Sequence, residues 1–248
     1  MERIKTLSLW SGILGFVVVA LGAWTRLADA GLGCPDWPGC YGFVTIPVSP
    51  EEIDIANAKF PDTPYEVAKA IPEVVHRYFA AALGFMILCI AFLAFRYKDL
   101  PSDVRKLSFF LIAWVIMQGT FGYWTVSLKL WPQVVTTHLM SGFLTTGLLW
   151  LLYFKTKDRL HNRTKWNFGA TTKKLFNVSI ALVAIQIFLG AWTSTNYASY
   201  SCVDFPLCQG QVLSESNFRE GCTSFQSIGP LYLGGHLDPA SGGAILLT

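Results

Sequence analysis

Long unbroken apolar runs alternate along this chain with short polar stretches. Five runs reach the length needed to cross a bilayer, about 20 mainly apolar residues: roughly Leu7 to Leu27, Glu73 to Phe95, Leu107 to Val126, Val134 to Phe154 and Leu175 to Thr193. Their continuity predicts helices, since the strands of a membrane barrel would alternate apolar and polar positions. The first run has the outline of a signal peptide, with a basic start, an apolar stretch and Ala28-Asp29-Ala30. Its length, and a near copy of its end in mid-chain, predict a retained helix instead.

Composition agrees with the pattern. Hydrophobic residues make up 52% of the chain and charged residues 14%, against about 25% charge in soluble domains. The charges also orient the helices. Of 19 Lys and Arg, two precede the first run (Arg3, Lys5), four lie between the second and third (Arg96, Lys98, Arg105, Lys106) and seven between the fourth and fifth. Those segments are cytoplasmic by the positive-inside rule, which places the N-terminus inside and the loops after the first and fifth runs outside. The net charge of +3 is thereby used up in topology and gives no indication of nucleic acid.

The near copy is a repeat. Leu21 to Gly42, LGAWTRLADAGLGCPDWPGCYG, returns 168 residues later as Leu189 to Gly210, LGAWTSTNYASYSCVDFPLCQG, with 11 of 22 positions identical; chance supplies roughly one or two. The chain therefore reads as two related halves. Residues 1–155 form a first four-helix half with an outer loop, 156–174 a basic cytoplasmic linker, and 175–248 the start of a second half. Ala244 to Thr248 reads as the beginning of a sixth helix, cut short.

Each outer loop carries a Cys-x5-Cys pair, Cys34 with Cys40 and Cys202 with Cys208; Cys222 is left over. In an oxidising compartment such pairs read as disulfides. Structural zinc is the competing reading, but the first loop lacks four ligands for it. Whether the first disulfide only shapes its loop or takes part in redox chemistry stays open at this level.

Ile71-Pro-Glu-Val-Val-His-Arg77 opens the second helix, with Pro72 read as a first-turn residue. Glu73 and His76 share a face, and ionisable groups in a membrane helix are costly unless they face the bundle or a ligand. His138 follows Pro132 in WPQVVTTHLM much as His76 follows Pro72. With both helices running outside to inside, the two imidazoles fall at similar depth, roughly 6 to 9 Å from the outer interface. Such a pair can grip a metal from opposite sides, and haem iron is the metal most naturally held so within a four-helix bundle. The bland alternative is hydrogen bonding of each His across the bundle. For Glu73 the alternatives are a proton acceptor near the site and an i, i+4 pair with Arg77. His161 and His236 read as linker and loop residues.

These residues resemble the haem A synthases of the CtaA/Cox15 type, in their proteobacterial form, over essentially the whole chain: TRL with CPDWPGCYG, PEVVHR, QGTFGYWTV with LWPQVVTTHL, and QIFLGAWTSTNYASYSCVDFPLCQG. The resemblance implies an all-α membrane fold of two pseudo-symmetric four-helix bundles, the second incomplete in this chain, and oxidation of the C8 methyl of haem O to a formyl group. It implies haem b held axially by His76 and His138, an acidic residue important for activity at Glu73, and a loop disulfide at Cys34 and Cys40. It further implies an inner-membrane location, with haem O, the lipid bilayer, haem O synthase and an electron donor or acceptor as partners, and a homo-oligomer as an open state. Two other classes fit parts of the pattern. A quinone-linked thiol-disulfide oxidoreductase would use the Cys pairs, and a b-type haem protein without catalysis would use only the His pair.

Overall fold

The computed structural model describes residues 1–97, 99–160 and 168–198, and the regular elements among them are helices: α1 Glu2–Leu27, α2 Pro50–Lys59, α3 Val67–Arg96, α4 Ser102–Ser127, α5 Pro132–Leu160 and α6 Ala170–Thr195. All but α2 are long and apolar enough to span a membrane. The five predicted runs are thus five helices, each extending beyond its apolar stretch. Residues 199–248, with Cys202, Cys208, Cys222 and His236, lie outside the described residues, as does His161.

Two expectations change. The outer loop contains a helix, α2, where only loop was expected. Ser49 is its N-cap: its hydroxyl accepts the Glu52 N–H at 3.2 Å, while Glu52 Oε2 accepts the N–H groups of Ser49 (3.0 Å) and Val48 (2.9 Å). This reciprocal box satisfies donors that a short helix leaves orphaned, and Pro50 supplies a preset φ at its first position. The second correction concerns Pro72, which lies inside α3 rather than in its first turn. The helix begins five residues earlier, at Val67, with the N–H groups of Lys69 and Ala70 bonded to the Glu66 carbonyl. The added turn is held by tertiary packing, because Ala70 is buried with Cys34, Cys40, Tyr41 and Ala56.

The described residues group into two compact units: Met1–Val126 with the part of α5 from Ser141 onward, and Ser127–Met140 with α6. In the first unit Ile4, Leu83, Ile87, Ile90, Val104, Leu111, Leu149 and Leu152 form a continuous core. Apolar contact between membrane helices gains little from water exclusion, so close packing and internal hydrogen bonds decide it. A Cβ on Gly12 would sit 3.1 Å from the Trp150 ring and one on Gly15 2.8 Å from Thr146 Oγ1, so these glycines let α1 meet α5 closely. Gln118 accepts a hydrogen bond from the Ser141 hydroxyl. Asp103 pairs with Lys155 at 3.0 Å and Arg159 at 3.1 Å.

In the second unit the hydroxyls of Thr136 and Thr195 lie 3.3 Å apart. The end of α6 repeats the end of α1 at the offset of the sequence repeat. Ala28 N–H bonds Trp24 O and Asp29 N–H bonds Arg26 O; 168 residues on, Asn196 N–H bonds Trp192 O and Tyr197 N–H bonds Ser194 O. Asp29 and Tyr197 both take positive φ, 49° and 52°. The repeat is therefore one of backbone conformation as well as of letters.

Candidate functional site

The site is built where the first outer loop meets the start of α3. Cys34 and Cys40 form a disulfide, and both residues are fully buried. The loop they close is held from inside by Asp36, whose carboxylate accepts the N–H of Tyr41 at 2.6 Å and of Gly42 at 2.7 Å. Gly42 has a φ of 84°, a conformation that glycine adopts without strain. Tyr41 anchors the far side by donating its hydroxyl to the Pro64 carbonyl at 3.1 Å. Its ring stands edge-on to Phe60 and Tyr65.

Two side chains of α3 dock this loop. Glu73 is 5% exposed; its Oε2 accepts the Cys34 N–H at 2.8 Å, and its Oε1 pairs with Arg77. The Arg77 guanidinium also donates to the carbonyls of Asp36 (2.9 Å) and Gly39. One helical turn thus presents an acid and a base that grip both ends of the disulfide loop, and the spacing of four residues that brings them together is visible in the sequence. Asp36 and the Arg77 contacts with the loop were not. They depend on a turn whose shape only the folded loop supplies.

His76 lies on the same helix, between these two residues in sequence. It faces α1: a Cβ on Gly22 would be 3.1 Å from its Cε1. The imidazole hydrogen-bonds the backbone of Val18, and its buried Nδ1 makes no hydrogen bond. Near the same place the Thr25 hydroxyl bonds the Pro72 carbonyl at 3.3 Å, tying α1 to the start of α3. A part-buried imidazole with one nitrogen engaged and the other left over suits an iron ligand, whose second ring nitrogen is normally fixed by a backbone carbonyl or carboxylate. His76 therefore fits a haem iron.

His138 is on α5 in the segment belonging to the second unit. Counted from the first helical residue it is six positions in, from Pro132 to His138, whereas His76 is nine in, from Val67 to His76. The starting point used to match the two depths therefore shifts for α3. Among the described residues no three His, Cys, Asp or Glu side chains gather as a metal cluster, so a site made only of protein ligands, as in structural zinc, has no donor set there.

The COX15-CtaA family model, described as cytochrome oxidase assembly protein, matches residues 5–228. A protein of Shewanella oneidensis named Heme A synthase is 40% identical over 232 residues, covering 91% of this chain and 67% of that protein. Heme A synthases of Alkalihalophilus pseudofirmus and of Wolbachia pipientis wMel are 25% and 26% identical, over 85% and 86% of this chain and 66% and 67% of theirs. The chain thus spans about two thirds of the length of these relatives. No solved structure matches it.

Proposed function

The chain belongs to the COX15-CtaA cytochrome oxidase assembly family, and from that premise we propose that the protein is a haem A synthase, oxidising the C8 methyl of haem O to a formyl group. The observation that carries this reading is the 40% identity, over 91% of the chain, with a protein named Heme A synthase. Five helices long and apolar enough to span a membrane support a reaction within a bilayer, which suits a hydrophobic porphyrin substrate. The location is the bacterial inner membrane with the N-terminus cytoplasmic, as the distribution of Lys and Arg favours. The first half is a four-helix bundle and α6 begins a related second one, a reading supported by the repeated helix end at Asp29 and Tyr197.

His76 and His138 would hold haem b, which would supply the oxidative chemistry that no side chain can provide at an unactivated methyl. The protein's own residues do the rest. His76 presents a ring nitrogen already oriented by its bond to Val18. The disulfide loop covers the start of α3 and leaves Glu73 almost fully buried, which keeps water from its carboxylate. Glu73 takes up a proton released as the methyl is oxidised. A carboxylate has about four acceptor positions; Arg77 and the N–H groups of Cys34 and Gly33 take three, so the group is held in place and still accepts. Haem O synthase and an electron donor or acceptor are the partners this reaction needs, with water or dioxygen supplying the formyl oxygen.

The thiol oxidoreductase reading is disfavoured by one feature: Cys34 and Cys40 are both 0% exposed, and disulfide exchange requires an attacking thiolate to reach a sulfur. Extracting pigments from cells with and without the gene tests the proposal. Haem A is expected only with the gene, and haem O without haem A in both extracts overturns it.

A further inference from the structure

His76 meets α1 at a notch in the helix surface. A helical side chain covers the turn N-terminal to its own Cα, so a side chain at position 22 would cover the turn that carries the Val18 carbonyl. Position 22 is glycine, and that carbonyl is left uncovered. The Val18 N–H is used within the helix, which leaves the carbonyl as the group the imidazole bonds. A Cβ at Gly22 would come within 3.1 Å of Cε1 and 3.5 Å of Nδ1, so the ring sits where a side chain would otherwise be. Glycine is a poor helix former, yet the second copy of the repeat keeps it at the equivalent Gly190.

We propose that the Val18–Gly22 notch of α1 is a positioning site for His76, fixing the rotation and tautomer of its imidazole so that one nitrogen donates to the Val18 carbonyl and the other keeps its lone pair for haem iron. This rests on the reading of His76 as a haem ligand. Gly22 is a positioning residue, acting through His76. A partner that fixes a ligating histidine in this way is worth roughly 10- to 100-fold in affinity. A glycine serving only close packing of α1 on α3 would instead act on stability and leave the character of the ligand alone.

The test uses the purified holoprotein with Gly22→Ala, His76→Ala, the double variant, and Gly84→Ala as a control, since a Cβ at Gly84 meets nothing within 4 Å. Gly22→Ala is expected to shift the electron paramagnetic resonance signature of the haem and to weaken haem retention roughly 10-fold or more, while Gly84→Ala does neither. Thermal melting completes the cycle. Gly22→Ala lowers the melting temperature when His76 is present and not when His76 is Ala, because the new methyl group then takes the vacated space. An unchanged signature in Gly22→Ala, or an equal loss of melting temperature in both backgrounds, overturns the proposal. Should Gly22→Ala prove too unstable to isolate, its rescue by His76→Ala supports the notch, and failure of that rescue overturns it. An unchanged haem signature in His76→Ala sinks the ligand assignment, a result separate from the melting comparison that judges the notch itself.

Discussion

Cys34 and Glu73 are joined directly, the Cys34 N–H donating to Glu73 Oε2 at 2.8 Å although 39 residues separate them in sequence. The acid that precedes His76 by one helical turn is therefore also the anchor of the disulfide loop. Substitutions there mix two effects, and the choice of variant separates them.

Glu73→Gln keeps an acceptor for the Cys34 N–H and removes the charge. Bound haem is expected to remain while haem A formation falls steeply, as read from the haem content of the purified protein and from extracted pigment. Glu73→Ala removes both interactions and leaves the part-buried Arg77 without its carboxylate; breaking a fully buried pair costs about 3–5 kcal/mol, and the loss here is smaller because Arg77 keeps the carbonyls of Asp36 and Gly39. Its melting temperature should drop well below that of Glu73→Gln. Loss of haem from Glu73→Gln as complete as from His76→Ala would make Glu73 a structural residue rather than a proton acceptor.

Replacing both Cys34 and Cys40 by Ser removes a cross-link spanning six residues, worth about 2 kcal/mol by loop closure. The variant should melt earlier and make less haem A, yet still make it, because Asp36 and Arg77 continue to hold the loop. Complete loss of activity in a variant that keeps its fold and haem would restore a redox role for the pair.

The five membrane-length helices were legible because a bilayer allows few solutions: a run of apolar residues must satisfy its own backbone, and only a helix does so alone. Pro72 suggests a helix boundary from its residue type, while the burial of Ala70 in the loop cluster keeps the chain helical before it. Helix α2 is signalled by Ser49-Pro50-Glu51-Glu52, a capping box with proline at the first position, a signal masked by the polar, proline-rich loop around it. The i, i+4 pairing of Glu73 with Arg77 could be read from spacing. Gly22 beneath His76 could not, since a helix glycine in a membrane segment has close packing as its ordinary explanation.

High pH should open the loop through Tyr41. Burial, and then the nearby acids Glu66 and Glu73, push its hydroxyl up to about 12, against about 10 in an unfolded chain. The folded state thus favours the neutral phenol. Its contribution to stability is complete below pH ~10 and is lost as pH rises through the folded value. The tyrosinate absorbance of the native protein should contain a late component near pH 12 that is absent from Tyr41→Phe. Should Tyr41 titrate with the exposed tyrosines, the loop is not closed over it in solution.

His76 and His138 provide the last test, and Tyr41 provides its control. If both imidazoles bind one iron, either single replacement by Ala leaves that iron with one ligand, and the haem spectrum should change in the same way in both. Residues that act as a unit are not additive, so the double variant should be little worse than either single. Haem could also be lost because a variant misfolds. His76 and His138 belong to different compact units, so loss of ligation and collapse of the first outer loop can be told apart: the late Tyr41 titration should persist in His138→Ala even as its haem signature changes. A His138→Ala protein with an unaltered spectrum would show that the similar placing of the two histidines after Pro72 and Pro132 is coincidence. One that loses both the spectrum and the Tyr41 component would place His138 in the support of the loop rather than on the iron.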